Sequence, residues 1–428
     1  MKRFKVLVFP AGTEIGLEIH RSLANLKEVD LVGASSSRHD HGAFVFKSFH
    51  HLPWIFESDF LPQLNELIKE RKVTHIYPAH DDVQLFLMEN QTKIRCKVVS
   101  CCLDTLYITR FKSKTYQKFA ELLPVPKVFK TIEEIQRYPV FAKPDRGQGA
   151  QGVATIESAE QLRVFLKNSK QEYLILEYLP GEEFTVDCFT AGSGELLFCQ
   201  GRVRSRIKNG IAVHSEFFNA PCFKEFAEII NKNIELCGAW FFQLKKDING
   251  NFKLLEIGAR IGGTMGLSRV KGVNFPLLTL YELEGVKTEL LVNNVDIVVN
   301  KAFINRYRHN LKYSHVYLDL DDFLIVKDKV NLQVIHFIFQ CHNKGIPVVL
   351  LTKHKGNLNE TLKKYRLESL FSEIIWIGEE DAKWKQIRHK DAIFLDDSFS
   401  ERKEVSENLK IPTFDSSSLE MLLDYSDL

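Results

Sequence analysis

Short apolar runs alternate with amphipathic stretches over about the first 105 residues. The run FKVLVFP at residues 4–10 is rich in β-branched and aromatic side chains, which predicts a buried strand. In the stretch that follows it, AGTEIGLEIHRSLANL, the side chains of Ile15, Ile19 and Leu23 share one helical face. Further strand-like runs, VDLVGASS, THIYPAHDD and KVVSCC, end in polar residues. This alternation predicts a parallel, doubly wound α/β domain over residues 1–105.

The same alternation returns after a polar stretch, INRYRHNLKYSH. Four strand-like runs, VYLDLDD, IPVVLLT, EIIWIG and DAIFLDD, are separated by helical segments, and three of them end in Asp or Thr. Parallel sheets carry their chemistry at this carboxyl edge. We therefore expect a domain boundary near residue 310 and a Rossmann-like α/β domain over residues 311–428, with a middle domain over residues 106–310.

Composition narrows the class of protein. A chain of 428 residues exceeds one ordinary core, so two to four domains are expected. A net charge of +2 disfavours nucleic acid as a partner, and no apolar stretch reaches the roughly 20 residues of a membrane helix. The eight cysteines show neither a CxxC pair nor zinc-ligand spacing, which favours reduced thiols and a cytoplasmic location.

A glycine-rich run, FAKPDRGQGAQGV, is the most informative part of the middle segment. An apolar strand presents Lys143 and then breaks into a loop with Gly147, Gly149 and Gly152. Backbone N–H groups of such a loop approach phosphate oxygens closely, and the lysine supplies a positive charge to them. By itself the run is equally typical of a flexible hairpin loop.

Two later runs offer further oxygen ligands. In LILEYLPGEEFTVDCF, a strand end is followed by Glu183, whose carboxylate can accept hydrogen bonds from a ribose. The run WFFQLKKDINGNFKLLEIGARIGG predicts a hairpin that carries Gln243 and Glu256 on its two arms, ligands that suit Mg²⁺. Arg260 follows and could neutralise a transferring phosphoryl group.

Three arginines alternate in GRVRSRIKNGIAVHSEF. Period-two spacing places Arg202, Arg204 and Arg206 on one face of a strand. They would meet phosphates or an anionic substrate there, and an exposed, solvated strand face explains the pattern equally well.

The order of these runs resembles the ATP-grasp superfamily, close to its carbamoyl-phosphate-synthase-like and amino-acid ligase branches. The resemblance covers about the first 300 residues and implies a pre-ATP-grasp domain followed by an ATP-grasp α+β fold. It implies nucleotide binding by the loop glycines and by several further residues, namely Lys114, Lys143, Glu177, Leu179 and Glu183. It also implies that Gln243 and Glu256 bind metal and that Arg260 is catalytic.

The reaction that this resemblance implies is an ATP- and Mg²⁺-dependent ligation of a small-molecule carboxylate to an amine through an acyl phosphate. One position departs from the family pattern. The family commonly has Glu-x-Asn-x-Arg where this chain has Glu256-Ile-Gly258-Ala-Arg260, so a second magnesium would be held more weakly, or through water. A nucleotide-binding protein without turnover is the alternative, and a homodimer is left open.

Paired acids dominate the C-terminal segment. Asp319 and Asp321 stand two apart in VYLDLDDFL, where one carboxylate suits nucleophilic attack and the other proton transfer. Thr352, Lys383 and the pair Asp396–Asp397 follow at later strand ends or between strands.

This set resembles the haloacid-dehalogenase-like (HAD) superfamily. The resemblance implies that Asp319 is the nucleophile and Asp321 the acid/base, that Thr352 and Lys383 bind phosphate, with Lys385 as the alternative lysine, and that Asp319, Asp321 and Asp396 bind Mg²⁺, with Asp397 beside them. The short intervals between these residues leave no room for a cap domain, which predicts an open phosphatase site. Phe323 departs from the usual Thr or Val, and an inactive docking domain is the alternative.

Overall fold

A computed structural model describes residues 4–147, 149, 151–169, 171–208, 210–307 and 309–425. The chain forms two compact units, residues 1–303 and 304–428. Both are mixed α/β structures, which confirms the predicted class. The finer division of the first unit at residue 105 stays a prediction. Among the described residues, no helix combines the length and the apolar character that crossing a membrane requires.

The first unit opens with a five-stranded parallel sheet whose strands have the order β3-β2-β1-β4-β5. The strands are β1 (Phe4–Phe9), β2 (Val29–Ser35), β3 (Phe49–His51), β4 (His75–Pro78) and β5 (Lys97–Val98). The helices between them are α1 (Glu14–Leu23), α2 (Phe60–Arg71) and α3 (Asp81–Glu89). The strand order reverses between β1 and β4, and such a switch point opens a crevice at the carboxyl ends of the strands.

Two helices and a small antiparallel sheet come next. The helices are α4 (Leu103–Arg110) and α5 (Lys112–Phe119). The sheet, with order β6-β9-β7-β8, consists of β6 (Val128–Phe129), β7 (Val140–Pro144), β8 (Ala154–Ile156) and β9 (Tyr173–Glu177), with helix α6 (Ala159–Asn168) before the last strand.

A six-stranded antiparallel sheet completes the first unit, in the order β14-β13-β10-β11-β12-β15. Its strands are β10 (Glu183–Thr190), β11 (Leu196–Lys208), β12 (Ile211–Phe217), β13 (Gly238–Lys246), β14 (Phe252–Gly258) and β15 (Val298–Asn300). The accompanying helices are α7 (Pro221–Asn233), α8 (Gly266–Val270) and α9 (Phe275–Leu283). Phe189, Phe241 and Phe275 pack with Val6 and Val8 in one core, so this sheet and the first one share their hydrophobic interior.

The second unit is a five-stranded parallel sheet, in the order β20-β19-β16-β21-β22, with a small hairpin. Its strands are β16 (His315–Leu318), β17 (Ile325–Val326), β18 (Lys329–Val330), β19 (Val348–Thr352), β20 (Glu373–Trp376), β21 (Ala392–Leu395) and β22 (Thr413–Phe414). Its helices are α10 (Leu332–Asn343), α11 (Leu358–Lys364), α12 (Phe399–Leu409) and α13 (Leu419–Leu422). β16 and β21 are neighbours in register, with Leu318 opposite Leu395, so the residues after these two strands meet at one edge.

Candidate functional site

A cavity of about 400 Å³ lies in the first unit, at the carboxyl ends of β1 and β4. The loops after these strands contribute Thr13 and His80, and the six-stranded sheet forms another wall. The charged side chains that line it are Glu14, Asp81, Arg110, Lys112, Arg202, Arg204, Glu256 and Arg260. The four arginines already have acidic partners. Lys112 has none within ion-pair distance among the described residues, so it is the cation that suits an anionic ligand.

Four polar residues form a row across this wall. Thr185 pairs with Arg202 on one side and with Gln243 on the other. Gln243 in turn pairs with Glu256. Directly paired residues project from the same face of a sheet, and all four line the cavity. The structure therefore brings the two predicted metal ligands, Gln243 and Glu256, side by side.

A β-bulge places Gln243 opposite Glu256. Next to the hairpin turn, Lys245 pairs with Lys253 and Leu244 with Leu254, and the regular continuation would set Gln243 opposite Leu255. The register instead shifts between Gln243 and Leu244, so that Glu256 stands opposite Gln243. Because side chains alternate between faces, a one-residue slip decides whether Glu256 enters the cavity.

The bulge also frees a backbone carbonyl. The carbonyl of Leu255 accepts hydrogen bonds from Tyr116 Oη at 2.9 Å and from Lys143 Nζ at 3.3 Å. Lys143 is buried, and among the described residues no carboxylate lies within ion-pair distance of it. Burial lowers the pKa of Lys143 to about 7; the charge of Glu256 opposes this shift and that of Lys112 adds to it.

Gly258 stands where the family pattern has Asn, and its neighbour explains why. Gly258 pairs with Phe241, and a Cβ at residue 258 would lie 2.4 Å from Cε1 of that ring. The ring therefore occupies the volume that any side chain at residue 258 would need. Gln243 and Glu256 then supply the amide and carboxylate oxygens that this row could offer to a metal.

Lys114, which was predicted to contact phosphates, is absent from the described lining of the cavity. It is exposed, and its Nζ lies 4.9 Å from the centre of the Tyr107 ring and 5.2 Å from that of Phe111. Lys112 lines the cavity instead and donates to the carbonyl of Gly147 at 3.1 Å. Both lysines belong to α5, where residues two apart point to opposite faces, so only one of them can reach the site.

Of the other predicted nucleotide ligands, some line the cavity and others do not. Gly147 and Gly149 line it. Their neighbours Gln148 and Ala150 fall outside the described part of the chain. Among the described lining residues, Gly152, Glu177, Leu179 and Glu183 are absent.

These four residues make other contacts. A Cβ on Gly152 would touch Pro144 and Tyr173, and Leu179 is buried. Glu177 accepts from the backbone of Lys127 and from Lys253 Nζ, both at 2.9 Å.

Arg260 lines the cavity, but it already has an acidic partner. Its Nε and Nη2 bind the two carboxylate oxygens of Asp81 at 2.6 and 2.8 Å. Burial would raise the pKa of Asp81, yet the guanidinium outweighs it and holds this pKa at about 2. Sequence reasoning missed Asp81, although its position three residues after the end of the strand-like run THIYP was a usable signal.

The three alternating arginines do not share one site. Arg202 binds Asp187 and Arg204 binds Glu183, and both arginines line the cavity. Arg206 is exposed and donates to Asn300, because the β11–β12 register shifts between residues 204 and 206. Simple alternation fails at such a bulge.

In the second unit, acidic residues gather around one buried lysine. Lys383 Nζ lies 2.8 Å from Asp319 Oδ1 and 2.7 Å from Asp396 Oδ2. Oxygens of Asp319, Asp396 and Asp397 all lie within 4.8 Å of one another, a spacing that one cation can bridge. Burial raises the pKa of Asp319 despite the nearby lysine. For Lys383, burial would lower the pKa, but the two carboxylates outweigh it and raise it.

The remaining predicted residues of this unit lie around that cluster or away from it. Thr352 is buried at the end of β19 and accepts from the backbone N–H of His354. Asp321 lies past the end of β16 and contacts His354 Nδ1 at 2.9 Å, so the described acidic cluster does not include it. Lys385 is exposed, which leaves Lys383 as the buried lysine.

The comparisons with known proteins concern the first unit. A family model described as ATP-grasp in the biosynthetic pathway with Ter operon matches residues 169–302. No protein of curated function matches the sequence.

Several solved structures have a similar fold. The biotin carboxylase domain of Hydrogenobacter thermophilus 2-oxoglutarate carboxylase, in complex with MgADP, ADP and bicarbonate, has a TM-score of 0.56 at 14% identity, over 67% of this chain and 71% of that one. The biotin carboxylase of Campylobacter jejuni, in a β-γ-ATP complex, has a TM-score of 0.56 at 15% identity, over 68% and 73%.

N5-carboxyaminoimidazole synthetase from Staphylococcus aureus, complexed with ADP, has a TM-score of 0.54 at 15% identity, over 68% of this chain and 81% of that one. At such low identity these likenesses establish the fold and leave the chemistry to be argued from the site. The chain therefore contains an ATP-grasp domain, to which residues 169–302 belong.

Proposed function

We propose that the first unit is an ATP- and Mg²⁺-dependent ligase that activates a carboxylate as an acyl phosphate and joins it to an amine. The observation that carries this proposal is the pairing of Gln243 with Glu256 beside a buried lysine that has no carboxylate partner among the described residues. Oxygen ligands suit Mg²⁺, and an uncompensated buried cation suits a polyphosphate. The ligands named for the similar structures, MgADP and ADP, are consistent with it.

In this proposal each group of residues has a separate role. Gln243 and Glu256 would hold Mg²⁺, which when bound offsets the charge of the phosphates. Lys143 and Lys112 contact the same phosphates and orient them. The loop at Gly147 and Gly149 covers them and excludes water. An oxygen of the substrate carboxylate then attacks the γ-phosphorus, and the bond from that phosphorus to ADP breaks, so ADP leaves. The amine attacks the acyl carbon of the resulting acyl phosphate, the bond from that carbon to phosphate breaks, and the amine gives up a proton to the departing phosphate.

Calorimetry tests the nucleotide site. MgADP should bind the wild type, and Glu256→Gln should weaken this binding at least tenfold because a metal ligand loses its charge. Glu216→Gln, at an exposed position of β12, is the matched control and should bind like the wild type. ADP release that requires a carboxylate and an amine together would identify a ligase. If the wild type does not bind MgADP, the proposal fails.

We propose a second function for residues 304–428, a HAD-type phosphatase with Asp319 as its nucleophile. Support comes from the parallel sheet, from the cation-sized group Asp319, Asp396 and Asp397, and from Lys383 between two of these acids. Asp321, bound to His354, would serve as the acid/base. A scaffold without turnover is the alternative.

Hydrolysis of p-nitrophenyl phosphate with Mg²⁺ tests this second function. Asp319→Asn should lower the rate at least a thousandfold, because an amide cannot form the phosphoenzyme, and should leave MgADP binding unchanged. Asp328→Asn is the matched control, since Asp328 is exposed and Asn tolerates its positive φ of 58°. Equal rates for wild type and Asp319→Asn would leave the scaffold alternative.

We further propose a cytoplasmic location, which is supported by eight free cysteines. The homodimer stays a prediction.

A further inference from the structure

Arg202 has an unusual set of partners. Its Nε and Nη2 bind the carboxylate of Asp187 at 2.9 and 3.1 Å. Arg202 is 2% exposed and Asp187 is 0% exposed, so the pair is cut off from bulk water. The third nitrogen, Nη1, is buried and has no acceptor among the residues that the structure describes. Its two N–H groups therefore lack the hydrogen bonds that the other two nitrogens have.

An unsatisfied buried donor is costly. Leaving one without an acceptor costs about 1–3 kcal/mol, more when the group is charged, so native structures rarely keep one without a reason. Arg202 lines the cavity, and a Cβ on Gly262 would lie 3.6 Å from its Nη2, the nitrogen that binds Asp187. The glycine therefore adds no side chain beside this guanidinium, and the acceptor that Nη1 lacks would have to come from a ligand in the cavity.

We propose that Nη1 of Arg202 binds the carboxylate of the substrate. This inference rests on the proposed ligase function and adds a substrate subsite to it. Arg202 and Gln243 flank Thr185 in the cross-strand row, so their backbones lie about 10 Å apart at ~4.8 Å per strand. A carboxylate on Nη1 therefore lies beside the coordination sphere of a metal on Gln243 and Glu256, not within it.

Charge favours a carboxylate over the polyphosphate at this end of the row. Asp187 already neutralises the guanidinium, so Nη1 offers two polarised N–H donors with little net charge. The nucleotide phosphates carry several charges and are better met by Lys112 and Lys143, which have no acidic partner within ion-pair distance among the described residues. Two carboxylate oxygens match the two donors, whereas a primary amide would turn an NH₂ group toward them.

The experiment measures thermal stabilisation of the full chain in saturating MgADP by acetate, bicarbonate, succinate and the twenty amino acids, with acetamide and succinamide as neutral analogues. Arg202→Met alone would leave Asp187 buried without a cation, so the test variant is the double substitution Arg202→Met with Asp187→Leu. Arg206→Met, on the same strand but exposed and absent from the described cavity lining, is the matched control.

We expect at least one carboxylate to stabilise the wild type and Arg206→Met alike. Its Kd should be at least thirtyfold higher in the double variant. Its amide analogue should not stabilise any of the three proteins. MgADP and AMPPNP should bind all three proteins within twofold. Equal carboxylate affinity in all three proteins overturns the inference, as does a wild type that binds MgADP but no carboxylate. A selective loss of AMPPNP in the double variant would assign Nη1 to the γ-phosphate and overturn it too. Failure of the wild type to bind MgADP overturns the ligase proposal itself.

Discussion

Two buried lysines, one in each unit, have opposite surroundings. Lys143 is 7% exposed and donates to a backbone carbonyl, and its pKa is lowered by burial. Lys383 is 3% exposed and lies between Asp319 and Asp396, which raise its pKa against the effect of burial. Lys143 has no carboxylate within ion-pair distance among the described residues. The second site holds more carboxylates than cations, and it lacks a positive charge.

This difference indicates what each site takes up. A buried charge is stable only when a partner compensates it, so the missing partner has the sign opposite to the local excess. The cavity of the first unit is suited to phosphates, and the acidic cluster of the second to a divalent cation. The following predictions test this contrast, from the largest expected effect to the smallest.

Replacing each lysine by methionine should change stability in opposite directions. Lys383→Met leaves Asp319 and Asp396 buried without a cation, and we expect a loss of about 3–5 kcal/mol in the free energy of unfolding of the second unit. Lys143→Met removes a buried cation that has no acidic partner in the described structure, and we expect the ligand-free first unit to gain about 1 kcal/mol. Scanning calorimetry measures both effects.

The exposed lysines Lys385 and Lys118 supply the controls, and methionine at either should leave both transitions within about 0.5 kcal/mol of wild type. Changes of the same sign for Lys143→Met and Lys383→Met would contradict the contrast.

Gly258→Ala tests whether the Phe241 ring excludes a side chain at residue 258. In Gly258→Ala the new Cβ would meet the Phe241 ring, and we expect a destabilisation of about 1–3 kcal/mol. Adding Phe241→Leu to Gly258→Ala should cost less than the two single changes summed, because the smaller side chain relieves the overlap. Urea unfolding of the four proteins gives this coupling energy.

Gly147→Ala is the control for this cycle, since a Cβ there comes no nearer than 3.6 Å to its neighbours. Strict additivity at residues 241 and 258 would show that the ring does not restrict residue 258.

MgADP affinity should fall as the pH rises. Lys143 has its pKa lowered to about 7 in the ligand-free site, and phosphate oxygens beside it would raise this pKa, so binding takes up a proton. Affinity is then greatest below pH 7 and declines by up to about tenfold per unit between pH 7 and 9. Calorimetry in two buffers with different ionisation enthalpies measures the proton uptake.

Lys143→Met should bind MgADP more weakly and show no proton uptake over the same range. A wild-type affinity that is independent of pH would mean that the phosphates do not approach this lysine.

Mg²⁺ alone should stabilise the second unit, because oxygens of Asp319, Asp396 and Asp397 lie within 4.8 Å of one another there. At ten times its Kd the metal should add about 1.4 kcal/mol, and Asp397→Asn should reduce this gain. The transition of the first unit, where Gln243 and Glu256 offer fewer charges, should respond less without nucleotide. Equal stabilisation of both transitions would argue against the contrast.

The sequence predicted much of this fold from local pattern. The apolar runs at residues 4–10 and 347–352 are central strands, because a strand buried on both faces must be apolar throughout. Adjacent strand ends explain why Asp319 and Asp396 meet, since parallel neighbours in register place the residues after them at one edge. Asp81 and Asp187 were not predicted: the position of Asp81 after a strand marked it as a candidate, but nothing in the local sequence shows which arginine either acid pairs with.

Sequence reasoning proposed candidate ligands but could not show which of them lie at one site. It predicted Lys143 and the loop glycines as nucleotide ligands, and this role stays a prediction. In the structure Gly147 and Gly149 line the cavity and Lys143 donates to the Leu255 carbonyl. The family resemblance assigned the phosphate contact to Lys114 and did not consider Lys112. Both lysines stand in one basic run, and only the packed face of α5 distinguishes them.

The sequence by itself determined the alternation of strands and helices, the reduced cysteines and the set of residue types available for chemistry. The tertiary structure decided which of them share a site. The bulge at Leu255 is the clearest case: counting back from the hairpin turn puts Gln243 and Glu256 on opposite faces, and the one-residue shift brings them together. Such a shift depends on packing between strands, which no local pattern of side chains records.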